Sequence, residues 1–229
     1  MTRPARPPLT RDSVIAGAIA LADAEGIDAV SMRALATRLG VVPMALYKHV
    51  GDKEDLLDGM VEKVIDAFSA DPEASGTAPH PEDWKAAVRT RLLAARATLA
   101  LHPWARRAIE TRVRRTPAVL RHMDALTGLL LAGGLSADLT HHAMHTLGNR
   151  IWGFSPELFN DPGALPTSTR SSVPEPEPAD YPAIMRVVTD AQQRRPGGSC
   201  DEDYEFVFAL DLTLDALARL AADGWSSPA

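Results

Sequence analysis

The amino-acid sequence predicts an all-α protein, and three features carry that prediction. Alanine and leucine dominate a chain of 229 residues in which aromatics make up only 5%. Nearly every apolar segment repeats with the helical period, and β-branched residues rarely alternate with polar ones as a half-buried strand requires. With 45% of its residues hydrophobic and 24% charged, the chain can bury the core of one large domain or two small ones.

Each element follows from local signals. The first helix opens at Thr10, a residue type that caps helix N-termini, sets Ile15, Ala18, Ile19 and Ala22 on one face, and ends at Gly26, because glycine accepts the left-handed backbone of a terminating residue. Ser31 caps a shorter second helix to Leu39, with Leu35 and Leu39 on its buried face, and Gly40 stops it. Val41 and Val42 form a turn. Pro43 then starts a third helix where its missing N–H costs nothing, and Ala45 to His49 continue it for less than two turns, up to Gly51. Asp52 caps a long fourth helix with the stripe Leu56, Leu57, Met60, Val61, Val64, Ile65 and Phe68, ended by Asp71-Pro72.

After a loop rich in Pro, Gly and Ser over 71–81, helical patterning runs from Glu82 to Leu101, breaks at His102-Pro103 and restarts at Trp104. Pro117 to Ala132 forms the next helix, and Ser136 caps another that reaches Phe154. The last, Asp201 to Ala222, aligns Phe206, Leu210, Thr213, Leu214, Leu217 and Leu220. Residues 155–182 hold seven of the 18 prolines, a composition that builds neither helix nor core, so 155–180 is expected to be a mobile loop. A short helix over Tyr181 to Gln193 follows it. The domain division expected is a head with its connecting helix over 9–70 and a helical body over 80–224.

Composition excludes several classes of protein. No apolar run approaches the roughly 20 residues of a membrane-spanning helix. The basic start is followed by an acidic amphipathic segment where a secretory leader is purely apolar, which predicts cytoplasmic residence. Cys200 is the single cysteine, so an internal disulfide and a thiol-only zinc site are ruled out. The net charge of −6 is uneven: residues 1–53 hold seven basic against five acidic residues, net +2, and the remainder carries −8. A small basic head sits on an acidic body, which suits local rather than wrapped contact with nucleic acid.

Helix, tight turn and short helix is the arrangement that lays a second helix in the DNA major groove while the first braces it. Ser31 to Leu39 would brace and Pro43 to His49 would read, with Leu46 and Val50 pinning the short helix inward. Spacing alone leaves open that Gly40-Val41-Val42-Pro43 simply joins two packed helices. The residues themselves go further. Leu9-Thr10-Arg11-Asp12-Ser13-Val14-Ile15, Gly26 to Ala36, Leu39-Gly40-Val41, and Ala45-Leu46-Tyr47-Lys48-His49-Val50 followed by Lys53 and Leu56-Leu57 resemble the DNA-binding head of TetR-family transcriptional repressors over about residues 9–65. The body resembles the tetracycline-repressor subgroup more loosely, through His102-Pro103-Trp104, Gly134-Leu135-Ser136, Trp152-Gly153-Phe154 and Asp203-Tyr204-Glu205-Phe206.

The resemblance implies DNA contacts at Ser31, Met32 and Arg33, at Pro43, Met44, Ala45, Tyr47, Lys48 and His49, and at Lys53. It also implies a homodimer on a palindromic operator, released by a small-molecule effector; helices 136–154 and 201–222 of each subunit, long, late in the chain and richer in apolar positions than a solvent-facing helix needs, are the expected dimer surface. Pro43 and Ala45 stand where many relatives carry a polar residue, so apolar Pro43, Met44 and Ala45 offer bases only van der Waals contact, as to a thymine methyl. Tyr47, Lys48, His49 and Lys53 suit phosphates. Ser69 and Asn149 stand where two drug-holding histidines of the tetracycline repressors are expected, so tetracycline itself is not the expected effector.

In the body, Trp104, Met123, Met144, Asn149 and Trp152 are candidates for an apolar effector pocket with one polar handle; core packing is the alternative for each. His141 and His145 share a helix face at a zinc-pair spacing, and Asp138 adds a third candidate ligand. No Glu follows His141 as a metalloprotease requires, and neither a metal nor a cofactor is expected. The basic run Arg106, Arg107, Arg112, Arg114 and Arg115 is read as a solvated face or as intersubunit partners for acids such as Asp201, Glu202 and Asp203, in preference to an anion site. Nothing argues for catalysis. A DNA-binding protein that ignores ligands, of architectural type, is the alternative to an effector-controlled repressor.

Overall fold

The computed structural model describes residues 8–68, 80–111, 116–152, 182–194 and 201–228, whose regular secondary structure is helical throughout. The helices are α1 (Arg11–Glu25), α2 (Met32–Leu39), α3 (Pro43–Leu46), α4 (Lys53–Asp66), α5 (Trp84–Leu101), α6 (Ala105–Glu110), α7 (Pro117–Ala132), α8 (Ala137–Trp152), α9 (Pro182–Arg194) and α10 (Glu202–Ala222). Met1–Trp152 with Thr213–Ala229 makes one compact unit and Gly153–Leu212 another. The expected loop over 155–180, most of the 71–81 segment and the expected end of the eighth helix at Phe154 lie outside the described residues.

The helix starts are local chemistry. Thr10 Oγ1 accepts the Ser13 N–H at 3.1 Å while Ser13 Oγ accepts the Thr10 N–H at 2.8 Å, a reciprocal cap that pairs two donors a helix start leaves orphaned. Ser31 Oγ takes the Ala34 N–H at 3.1 Å and Asp52 Oδ1 the Asp55 N–H at 2.8 Å. Gly40, at φ 61° and ψ 39°, closes α2 in the left-handed region that other residues enter only at a cost.

Three differences from the periodicity have physical causes. The reading helix is shorter than Pro43 to His49: α3 stops at Leu46, and Tyr47 to His49 form a turn. The Leu46 carbonyl accepts both the His49 N–H at 2.8 Å and the Val50 N–H at 3.0 Å, so the chain tightens before it reverses into α4. Next, α1 packs on both α2 and α4, so its buried face includes Val14 and Leu21, while Ile19 is only half-buried. A helix held from two sides needs a wider apolar stripe than a one-sided one. Finally, α4 ends at Asp66, five residues short of the expected stop; the Phe68 N–H folds back onto the Ile65 carbonyl at 3.0 Å, which buries the Phe68 ring completely.

The whole predicted stripe of α4 is buried. Its first half packs on α1, where Gly59 lets Ile15 approach: a Cβ on Gly59 would lie 2.6 Å from Ile15 Cδ1. Its contacts continue to α5, α6 and α7, while α7 packs on α5 and α8. Thus one helix runs from the head into the body core. At the far side of that core Gly133 abuts the Trp84 indole so closely that any Cβ would collide with the ring. Ser136 Oγ caps α8 through the Leu139 N–H at 3.1 Å, and Lys85 pairs with Asp215 at 2.8 Å, holding that carboxyl below its usual range. In the second unit, Asp190 and Arg194 pair along α9 at 2.7 Å.

Candidate nucleic-acid interface

The α2–α3 region has an inner and an outer side. Leu35, Ala36, Leu46 and Val50 are buried against the head, with exposures between 0 and 2%. Opposite them, Val42 is 67% exposed, Met44 71% and Tyr47 45%, an apolar outer surface that a monomeric solution protein has no reason to display around a four-residue helix. Pro43 and Lys48 are exposed too, while Ala45 and His49 are half-buried. Lys53 is exposed at the first position of α4, and Arg33 in the first turn of α2. The Ser31 hydroxyl is engaged in capping, which leaves its remaining lone pair and proton for another partner. Met32 is half-buried. A shallow concavity of about 560 Å³, lined by Ser31, Arg33, Thr37 and Arg38 among others, continues this face. Arg38 and Val42 belong to it by position, although the motif did not single them out.

Sequence reasoning also missed what holds the reading turn. Arg11, at the start of α1, donates to Asp55 Oδ2 at 2.8 Å and Oδ1 at 2.6 Å, and again to the His49 carbonyl at 3.1 Å. Asp55 Oδ2 also accepts the Gly51 N–H at 2.8 Å. The fork-to-carboxylate pair therefore clamps the backbone on both sides of Val50, where the reading segment turns into α4. The Arg11 hydrogen bond lowers the Asp55 carboxyl to about 2 against the cost of its burial, with help from the Gly51 N–H, and Asp55 in turn raises Arg11. The only sequence signal was an arginine and an aspartate at two helix starts, which pattern alone cannot pair.

The body candidates differ in burial. Trp104 is buried, but its indole N–H is committed to Asp23 Oδ1 in α1 at 2.6 Å. Met123 is 39% exposed, Asn149 is exposed and Met144 half-buried; the side chain of Trp152 lies outside the described residues. His141 and His145 meet edge-on at 4.7 Å between ring centres, and His142 packs edge-on against Trp225 at 5.5 Å. The Asp138 carboxylate accepts the Ser227 N–H at 2.6 Å and its hydroxyl at 2.7 Å, bonds that hold it below its usual range. Among the described residues no group of three or more His, Cys, Asp or Glu is arranged to hold a metal ion. Arg107 is largely exposed and reaches Asp28 in the head at 2.9 Å. Arg112, Arg114 and Arg115 lie outside the described residues.

Comparison with known proteins matches this geometry. Residues 14–60 match the family of bacterial regulatory proteins of tetR type, and residues 78–220 match the tetracyclin repressor-like C-terminal domain. The HTH-type transcriptional repressor DrrR1 of Streptomyces coeruleorubidus is 36% identical over 238 residues, covering 99% of this chain and 84% of that protein. The crystal structure of apo ActR from Streptomyces coelicolor superposes with a TM-score of 0.70 at 25% identity, over 96% of this chain and all of that one, covered to 100%. The same protein in complex with (S)-DNPA gives 0.66 at 26% identity, over 93% and 99% of the two chains. Among the described residues no helix is long and apolar enough to cross a membrane. With both halves of the family's architecture matched in order along one chain, this protein belongs to the TetR family of transcriptional regulators.

Proposed function

We propose that this chain is a homodimeric repressor, acting in the cytoplasm, that a small-molecule effector releases from a palindromic operator. Residues 9–70 would read DNA and residues 80–224 would bind the effector and dimerise. The observation that carries the reading is the outward face of Val42, Met44, Tyr47, Lys48 and Lys53 over the buried Leu46 and Val50. Met44 meets base edges by van der Waals contact, and the cations with the Tyr47 hydroxyl meet phosphates. A two-fold dimer sets two such faces about 34–36 Å apart, one helical turn of DNA.

On α10, Tyr204, Phe208 and Leu212 are 55, 55 and 57% exposed at successive four-residue steps, an apolar stripe that supports pairing with a second copy. The likeness to ActR, whose complex with (S)-DNPA is known, supports an effector held in the body and makes (S)-DNPA the first compound to try. An effector acts by binding more tightly to the conformation whose heads miss the grooves.

The test is footprinting on DNA flanking the chromosomal gene, followed by titration with (S)-DNPA and a metabolite panel. A protected palindrome that is released by a ligand supports the proposal. Absence of selective protection overturns it, and protection that no ligand relieves favours the ligand-independent DNA-binding protein.

A further inference from the structure

The head meets the body at a second place besides α4. Asp23 lies in the last turn of α1, where no basic residue balances it. A carboxylate at a helix C-terminus faces the negative end of the peptide dipoles and is locally unfavourable, so its helix does not explain it. Its partners do. Asp23 Oδ1 lies 2.6 Å from Trp104 Nε1 and 2.8 Å from His102 Nδ1. A carboxylate only accepts, so both rings donate, His102 presenting its proton on Nδ1.

His102 and Trp104 flank Pro103 at the corner where α5 ends and α6 begins, and their rings lie 5.9 Å apart. Trp104 is 6% exposed, and the His102 and Asp23 side chains are 23% and 33% exposed, so water competes little for these bonds. The nearby Arg107–Asp28 pair is 66% and 82% exposed and contributes little orientation. Because α6 also packs on α4, a shift of this corner acts on the head through α1 and α4 together. Two attachment points fix an orientation that a single connecting helix would leave free to swing.

We propose that Asp23 is a positioning residue for operator binding: its shared acceptance of Trp104 and His102 holds the head at the angle the operator requires. This rests on the repressor reading above. Operator affinity, its salt dependence and thermal unfolding are measured for Asp23→Ala, Asp23→Asn, Trp104→Phe and the Asp23→Ala/Trp104→Phe double variant, with Arg107→Ala as a control.

Asp23→Ala and Trp104→Phe should each weaken operator binding about tenfold, the scale of one charge-assisted hydrogen bond, with the salt slope unchanged because no phosphate contact is lost. Asp23→Asn, whose amide oxygen still accepts the indole N–H, should fall between wild type and Asp23→Ala. The double variant should be no worse than the worse single, and Arg107→Ala should bind like wild type. Variants that bind and unfold like wild type, or single losses that simply add in the double variant, overturn the inference. A loss that follows melting temperature equally in all variants also overturns it, since stability alone would then account for the effect. Wild-type protein that binds no operator removes the repressor reading itself, an outcome distinct from these.

Discussion

The edge of the Phe68 ring, just past the end of α4, meets His122 of α7 with ring centres 5.2 Å apart and planes at 74°. Phe68 is fully buried and His122 is 7% exposed. The helix that begins at exposed Lys53 in the proposed DNA face therefore finishes locked into the body core. Burial first, and the nearby Arg91 charge second, push the His122 imidazole down to about 4, and its Nδ1 has no hydrogen-bond partner among the described residues.

His122 makes stability depend on pH in a definite direction. Unfolded, it takes up a proton near the ordinary imidazole value of 6.5; folded, it resists until about 4. Between these values the unfolded state binds more protons, so stability falls as pH drops through that window and is unaffected above it. The full difference is roughly 3 kcal/mol on the scale of 1.36 kcal/mol per pKa unit. Urea unfolding of wild type and His122→Phe from pH 8 to pH 4 should show curves of equal slope above the window, with the variant losing less stability within it. Parallel curves would exclude His122 as the source.

Asp55 gives the opposite case of an acid lowered by its partners. Its folded value of about 2 lies below the ordinary 3.8, so its contribution is complete above the unfolded value and is lost as pH falls toward about 2. Asp55→Asn should lower the melting temperature at pH 7, with the deficit shrinking below pH ~4. By loosening the His49 and Gly51 backbone it should also weaken operator binding without changing the salt slope. Unaltered affinity would show that the reading turn holds without the Arg11–Asp55 clamp.

Lys53 and Met44 are expected to separate charge from base contact. Lys53→Ala should weaken binding to operator and random DNA alike and reduce the salt slope by about one unit. Met44→Ala should leave the slope intact and reduce discrimination between operator and random DNA by about 1 kcal/mol or more, the lower end for a base contact. Fluorescence anisotropy from low to moderate salt reads both effects.

Close packing of α1 on α4 predicts a compensating pair. Gly59→Ala should destabilise by about 1–3 kcal/mol, the usual cost of overpacking. Adding Ile15→Val removes the Cδ1 atom that lies 2.6 Å from the new methyl position, so the double variant should be more stable than Gly59→Ala alone. Denaturant melts of the single and double variants decide this.

The exposed stripe of α10 predicts the oligomeric state. Phe208→Asp would place an unpaired charge in the proposed two-fold contact and should convert a dimer to a monomer by light scattering. A variant of unchanged mass would move the dimer surface elsewhere.

Most helix boundaries could be read from the sequence because they are decided within a few residues. Thr10, Ser31, Asp52 and Ser136 each cap a helix through a backbone N–H three residues on, and Gly26 and Gly40 supply the positive φ that ends one. The α4 stripe needed only the helical period, and the residues proposed to face DNA followed from the motif. Tertiary structure decided the rest, because those groups meet across long separations. Arg11 finds Asp55 44 residues away, and Asp23 finds Trp104 81 residues away. No periodicity encodes such pairs. The Trp104 indole, a candidate pocket wall by side-chain type, also donates a hydrogen bond to the head, and a histidine that would titrate near neutrality in water is held uncharged by the core around it. Hydrogen-bond partners and local dielectric are properties of proximity in space, which chain order constrains only after folding has brought the helices together.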